Sequence, residues 1–159
     1  MPGYFLDTSV LAKLYHSEVG SERMESLVGT PGVRMIISQL SLVEIESVFA
    51  TEVRTGVIEK LALEQLRGLF CADLSRGRFE VVLLARRHFQ NAEALVRTYA
   101  VDHALRTLDA LQLSAALDLR RRGAVSELVA SDKNLCTVAT LEGLSVINPL
   151  TSVPSSVQS

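Results

Sequence analysis

"YFLDTSVLA", residues 4–12, places a short apolar run directly before an acid and two hydroxyl residues. Tyr4–Leu6 has the length and composition of a buried strand. Asp7, Thr8 and Ser9 follow it, and these residue types are favoured at helix N-termini, where their side chains accept backbone hydrogen bonds. The stretch therefore predicts a strand that passes straight into a helix, which is the building unit of α/β folds.

The same order of short apolar run and helical pattern recurs along the chain. The predicted strands are Tyr4–Leu6, Val33–Ile37, Phe79–Leu84, Leu128–Ala130 and Ser145–Ile147. The predicted helices are Val10–His16, Ser21–Val28, Leu40–Arg54, Ile58–Arg76, Arg86–Tyr99, Leu105–Arg122 and Leu135–Leu141. Strands that alternate with helices favour a mainly parallel five-stranded sheet covered on both faces. The two long helices between the second and third strands are expected to form a hairpin.

Composition limits the possible classes of protein. The chain has 159 residues, of which 48% are hydrophobic and 21% charged, so one globular domain is expected over residues 1–149, with a flexible tail at 150–159. The net charge of −2 is not typical of a protein that coats nucleic acid. No apolar run is long enough to cross a membrane, and no signal peptide is evident. Two cysteines without metal or disulfide spacing predict reduced thiols in the cytoplasm.

Two aspartates follow predicted strands. Asp7 ends the first strand, and Asp132 lies just after the fourth. The carboxyl ends of parallel strands meet at one edge of a sheet, which is where open α/β sheets place their sites. Each aspartate could equally be a simple helix cap.

Two further acids lie on predicted helices. Glu44, in "SQLSLVEIESVF", has apolar and small neighbours at helical spacing, whereas Glu46 points to another face. Asp109 lies in "RTLDALQLSAAL", and a buried carboxylate is costly unless it is paired. Its predicted apolar arc comprises Leu105, Leu108, Leu113, Ala115, Ala116 and Leu119.

Several carboxylates gathered at one place favour a hard divalent cation. Mg²⁺ and Mn²⁺ prefer oxygen ligands, whereas a zinc site would need a histidine or cysteine cluster, which the sequence does not indicate. The three histidines are predicted to lie on the surface: His16, His88 and His103. The basic clusters Arg86–His88 and Arg120–Arg122 are predicted to be solvated helix ends.

Four segments, in chain order, resemble the motifs of the PIN-domain family, and specifically the VapC toxins of bacterial VapBC toxin–antitoxin pairs. "FLDTSVLAKLY" carries Asp7, "ISQLSLVEIESVF" carries Glu44, "LRTLDALQLSAAL" carries Asp109, and "LVASDKNLCTVATLEGLSVINP" carries Asp132. The resemblance covers residues 4–149. One departure is Gln112, where many relatives carry histidine, and it puts in doubt any role for a base at that position.

The resemblance implies a three-layer α/β/α sandwich and an endoribonuclease that depends on Mg²⁺ or Mn²⁺. It implies that Asp7, Glu44, Asp109 and Asp132 form the catalytic and metal-binding site. Thr8 or Ser9 would support these carboxylates, and Arg106 would balance their charge. It also implies an RNA substrate, a homodimer and inhibition by a small antitoxin whose tail covers the site. Neither the number of ions nor the RNA target follows from it.

Other classes remain open. A stand-alone PIN ribonuclease without an antitoxin and a PIN-like module that only binds a partner both fit the sequence. An aspartyl phosphatase is disfavoured because Ser9 stands where a second aspartate would be needed. A P-loop enzyme is excluded by the lack of its glycine-rich motif. The helix from Leu40 is apolar on more than one side, at Leu42, Ile45 and Phe49, and burial between layers is slightly favoured over an exposed interface.

Overall fold

The computed structural model describes residues 1–151. The strands are β1 (Gly3–Leu6), β2 (Arg34–Ser38), β3 (Glu80–Val82), β4 (Glu127–Val129) and β5 (Ser145–Ile147). The helices are α1 (Thr8–Ala12), α2 (Ser21–Val28), α3 (Gln39–Arg54), α4 (Lys60–Ser75), α5 (Arg86–His103), α6 (Thr107–Arg121) and α7 (Lys133–Leu141). The predicted tail at 150–159 lies outside the described residues from 152 onward.

The five strands form one parallel sheet in the order β3-β2-β1-β4-β5. β1 lies at the centre, and the chain leaves it in one direction for β2 and returns on its other side for β4. The strand order therefore reverses between β1 and β4. Open α/β sheets bind their ligands in the crevice that such a reversal opens at the carboxyl ends of the strands.

Alternate residues of the strands face two separate apolar cores. Phe5, Ile36 and Leu128 pack under α5, α6 and α7. Their chain neighbours Leu6, Ile37 and Val129 pack under α1, α2, α3 and α4. Side chains alternate between the faces of a strand, so both faces of this sheet are covered by helices. The structure is thus the predicted three-layer α/β/α sandwich.

The predicted elements are all present, with shifted ends. β3 is three residues long rather than six, and α1 ends at Ala12 rather than His16. The helix pair α3–α4 is a hairpin, and Arg67 of α4 donates a 2.7 Å hydrogen bond to Glu46 of α3. On the apolar face of α3, Ile45 and Phe49 are fully buried as expected, and Leu42 is partly buried against the same core. Within residues 1–151, no helix is long and apolar enough to cross a membrane.

One surface prediction was wrong. His88 is buried, because its Nε2 lies 3.0 Å from Asp118 Oδ2 inside the α5–α6 contact. The arginines of the two basic clusters are exposed at helix ends, as predicted. Three of them, Arg87, Arg121 and Arg122, also pair with Asp118. Local sequence gives no signal for the burial of His88, because its partner Asp118 lies 30 positions further along the chain.

The predicted apolar arc of α6 was also partly wrong. Leu105 precedes the helix, and Leu108 is 47% exposed. Every residue of α6 from Asp109 to Ala116 is buried. The reason is that this part of the helix packs against three neighbours at once: the sheet, α5 and α7. Gln112, a polar residue, is fully buried in this stretch.

Candidate active site

Asp7 is held at the carboxyl end of the central strand. Its backbone N–H donates to the carbonyl of Val129 at 3.0 Å, which ties the ends of β1 and β4 together. Its side chain is 5% exposed and accepts a 2.7 Å hydrogen bond from Ser9 Oγ. Burial raises the pKa of Asp7 to about 6, the Ser9 bond opposes that rise, and the charges of Asp109 and Glu44 add to it. The surroundings of Asp7 therefore disfavour its charged form, and a nearby cation would stabilise that form.

Asp132 stands beside Asp7, across the point where the strand order reverses. It is the N-cap of α7, and its Oδ1 accepts a 2.9 Å hydrogen bond from the backbone N–H of Leu135. Ser131 precedes Asp132, and Ser9 lies two residues after Asp7. The hydroxyl oxygens of these two serines are 3.3 Å apart. The capping alternative is thus correct for Asp132, whereas the Asp7 side chain makes no cap hydrogen bond.

Glu44 reaches the same edge from α3, the helix that follows β2. Its Oε1 accepts a 2.8 Å hydrogen bond from Gln112 Nε2 and lies 3.1 Å from Thr8 Oγ1. Gln112 also lies within 3.0 Å of Ser41 Oγ and accepts from Ser38 Oγ at 2.8 Å. The glutamate is therefore oriented by a buried polar network that joins β2, α1, α3 and α6.

Asp109 forms an ion pair with Arg106, three residues before it in the chain. It lies in the first turn of α6 with 8% exposure, and Arg106 Nε donates to its Oδ2 at 3.0 Å. The other end of the same guanidinium lies 3.6 Å from Asp132 Oδ2. Burial raises the pKa of Asp109, while Arg106 opposes that rise. The Arg106 side chain itself is 71% exposed, so this ion pair lies at the rim of the site rather than in its interior.

The four acids lie at one edge of the sheet, but no three of them bring carboxylate oxygens within 4.8 Å of one another. Among the described residues, the three-residue group of metal-binding side chains with ligand atoms within 4.8 Å of one another is elsewhere, at His16, Glu18 and Glu52. A cleft of about 220 Å³ opens beside the acids and is lined by Glu44, Arg106 and Asp109, among others. The donors that these acids offer are all carboxylate oxygens, the ligand type that Mg²⁺ prefers.

Sequence analysis predicted the supporting residues Thr8, Ser9 and Arg106, which contact Glu44, Asp7 and Asp109 respectively, but it missed the buried polar network around Gln112. Ser38, Ser41 and Gln112 were not expected to contribute, although Gln112 was noted as a departure from histidine. The available signal was polarity on an otherwise apolar stretch, because a fully buried glutamine must find hydrogen-bond partners.

The fold and the position of the acids define a class: parallel α/β sandwiches whose carboxylates meet where the strand order reverses. The family model of the PIN domain matches residues 4–141. The chain belongs to the PIN-domain family. A comparison of the sequence with curated proteins found no match.

Several solved structures share this fold. VapBC2 from Rickettsia felis, bound to a DNA fragment from its promoter, is 19% identical, with a TM-score of 0.63 over 92% of this chain and 98% of that chain. FitAcB from Neisseria gonorrhoeae is 14% identical, with a TM-score of 0.60 over 92% and 97%. VapC20 from Mycobacterium tuberculosis, described as a sarcin–ricin loop cleaving toxin, is 20% identical, with a TM-score of 0.60 over 84% and 93%.

Proposed function

We propose that the chain is a divalent-metal-dependent endoribonuclease and the toxin of a type II toxin–antitoxin pair. The observation that carries the proposal is the meeting of Asp7, Glu44, Asp109 and Asp132 at the reversal of strand order in a PIN-domain fold. Four different elements supply them, so their convergence is not a by-product of one charged segment. VapC20, which shares the fold, is described as a sarcin–ricin loop cleaving toxin, which supports a nuclease activity.

The acids fit a hard divalent cation. All donors are oxygens, and Asp7 and Asp109 both have a pKa raised by burial, so each gains from a nearby positive charge. In our proposal Asp7 and Asp109 hold the ion, with Glu44 and Asp132 as further ligands. A bound Mg²⁺ or Mn²⁺ would supply an activated water and neutralise charge that develops on the phosphate.

The remaining residues would position the reacting groups. Ser9 orients Asp7, and Gln112 with Thr8 orients Glu44. Arg106, mostly exposed at the rim, would exchange its carboxylate partners for an RNA phosphate once a metal ion balances the acids. No side chain nucleophile is required by this chemistry.

The partners follow from the neighbours' assemblies. The structures that share the fold include VapBC2 from Rickettsia felis and a toxin–antitoxin complex from Klebsiella pneumoniae, which supports a small antitoxin partner for this chain. We extend the proposal to a homodimer that acts on cytoplasmic RNA. The acidic net charge implies that RNA affinity rests on local basic side chains such as Arg106.

The test is cleavage of a total-RNA pool by purified protein with Mg²⁺, with Mn²⁺ and with EDTA. Asp109→Asn keeps the shape of the side chain and removes its charge, so cleavage should be lost while the variant stays folded. The matched control is Asp102→Asn, an exposed aspartate on α5, which should cut like the parent.

Each other outcome counts against part of the proposal. Cleavage that survives both EDTA and Asp109→Asn would refute metal-dependent catalysis at this site. A folded, antitoxin-free protein that cuts no RNA under any condition would favour the binding-module alternative. Active protein whose gene has no small open reading frame beside it would favour a stand-alone ribonuclease.

A further inference from the structure

A second group of metal-binding side chains lies away from the candidate active site. His16, Glu18 and Glu52 each offer a ligand atom, and these atoms all lie within 4.8 Å of one another. The group sits where the chain leaves α1 and passes the last turn of α3. Glu52 follows Glu44 by eight residues on α3, which separates the two sites by about 12 Å along the helix.

The backbone around this group is fixed by hydrogen bonds. The N–H of His16 donates to the carbonyl of Ala12 at 3.2 Å, which prolongs the turn of α1. The N–H of Glu18 donates to Ser21 Oγ at 2.9 Å, and the Ser21 N–H returns a bond to the Glu18 carbonyl at 3.1 Å. The carbonyl of Glu52 accepts two backbone bonds at the end of α3. The backbone that carries the three side chains is therefore ordered by hydrogen bonds that need no ion.

Two atoms of the group lack hydrogen-bond partners. Within residues 1–151, three buried side-chain nitrogen or oxygen atoms have none, and two of them are His16 Nδ1 and Glu52 Oε2. His16 Nδ1 lies 3.9 Å from Glu52 Oε1, which is too long for a hydrogen bond. Two ligands of one tetrahedral zinc ion with bonds of about 2.1 Å lie about 3.4 Å apart. Unpaired buried polar atoms are rare, and an ion or water is a usual reason for them.

The local charge also favours a cation. Lys13 Nζ donates to Glu18 Oε1 at 3.0 Å, so the lysine pairs with one of the two glutamates. Glu52 has no lysine or arginine partner among the described ion pairs, and its side chain is 15% exposed. Burial is the main cause that raises the pKa of Glu52, with the Glu18 charge adding to it and His16 and Lys13 opposing it.

We propose that His16, Glu18 and Glu52 form a second metal site, selective for a borderline divalent ion such as Zn²⁺. An imidazole nitrogen with two carboxylates is a zinc donor set with a fourth position open to water, whereas the all-oxygen active site suits Mg²⁺. The ion would pin the segment after α1 to α3. It thereby braces the two helices that carry Thr8 and Glu44, with no role in the chemistry itself.

The test is direct binding of Zn²⁺ to the full chain, measured by calorimetry in excess Mg²⁺ so that an oxygen-lined site elsewhere is filled. One equivalent should bind, and His16→Asn, Glu18→Gln and Glu52→Gln should each weaken its affinity at least about tenfold. Co²⁺ titration gives an independent readout, because a low-coordinate site with an imidazole ligand absorbs visible light more strongly than six oxygens do. That absorption should disappear in His16→Asn.

Matched controls are His103→Asn and Glu59→Gln, which lie outside the group and should bind Zn²⁺ like the parent. Glu18 is exposed, so Glu18→Gln remains informative even if a buried variant folds poorly. The proposal is overturned if the parent binds no Zn²⁺ under these conditions, or if the three variants bind it as tightly as the parent. RNA cleavage is not a readout, so failure here leaves the proposed nuclease activity untouched.

Discussion

Gln112 Nε2 donates a 2.8 Å hydrogen bond to Glu44 Oε1, joining residues 68 positions apart. The same amide group bridges Ser38, Ser41 and Thr8, so one fully buried side chain links the end of β2 to both helices beside it. In place of the histidine noted in many relatives, this chain has a residue that cannot act as a base. Gln112 is thus a positioning residue for Glu44.

Gln112→Leu should therefore destabilise the fold and weaken catalysis together. Leucine has similar bulk but leaves the Ser38 hydroxyl without its partner and removes one hydrogen bond each from Glu44, Ser41 and Thr8. The expected cost is about 1–3 kcal/mol in the free energy of unfolding. Urea unfolding checks the stability, and kcat for RNA cleavage checks the positioning. Gln65→Leu, an exposed change on α4, is the control. A Gln112→Leu protein with the stability and kcat of the parent would contradict the network's role.

Asp7 should make the metal-free protein less stable as the pH rises. Its folded pKa of about 6 lies above the ordinary 3.8, so the fold favours the protonated carboxyl. That stability is complete below about pH 4 and is lost as the pH rises through 6, a loss of about 3 kcal/mol. Asp7→Asn mimics the protonated form of the side chain. In EDTA at pH 8, the variant should therefore unfold at a higher urea concentration than the parent. At pH 4 the two proteins should unfold at the same urea concentration. A variant less stable than the parent at pH 8 would refute this account.

Removal of Arg106 should strengthen metal binding while it weakens RNA binding. The guanidinium occupies Asp109 and approaches Asp132, so it competes with an incoming cation for the same oxygens. In Arg106→Gln, the Mg²⁺ concentration for half-maximal cleavage should fall, and KM for RNA should rise. Because the side chain is largely exposed, stability should change by less than about 1 kcal/mol. Arg97→Gln, an exposed arginine on α5, should change none of the three quantities.

Asp118 should stabilise the fold without affecting catalysis. Burial alone would raise its pKa, but hydrogen bonds from His88 and Arg87 and the nearby Arg122 hold it at about 2. The resulting stability is present above pH 4 and is lost as the pH falls through 2. Asp118→Asn should therefore cost about 2 kcal/mol at pH 7 and less as the pH approaches 2. Denaturation curves at both pH values check it. Lost RNA cleavage by a folded variant would contradict the separation from the site.

Local pattern was sufficient for the elements, whereas the set of four acids came from the resemblance to the PIN-domain family. Short apolar runs followed by capping residues predicted all five strands, and the polarity of Asp109 within an apolar helix marked it as unusual. Element ends shifted by a few residues, because the terminal turns depend on packing against neighbours. The burial of His88 and the exposure of Leu108 escaped prediction for the same reason: each is decided by what lies opposite in space.

The sequence by itself determined the class of fold, since alternation of strands and helices leaves a doubly covered parallel sheet as the economical arrangement. It also determined which carboxylates end strands. Only the tertiary structure decided the strand order β3-β2-β1-β4-β5, which sets Asp7 beside Asp132 at the crevice. Only the tertiary structure joined Gln112 to Glu44 and His16 to Glu52, because such contacts depend on the crossing of helices far apart in the chain, where no local periodicity carries information.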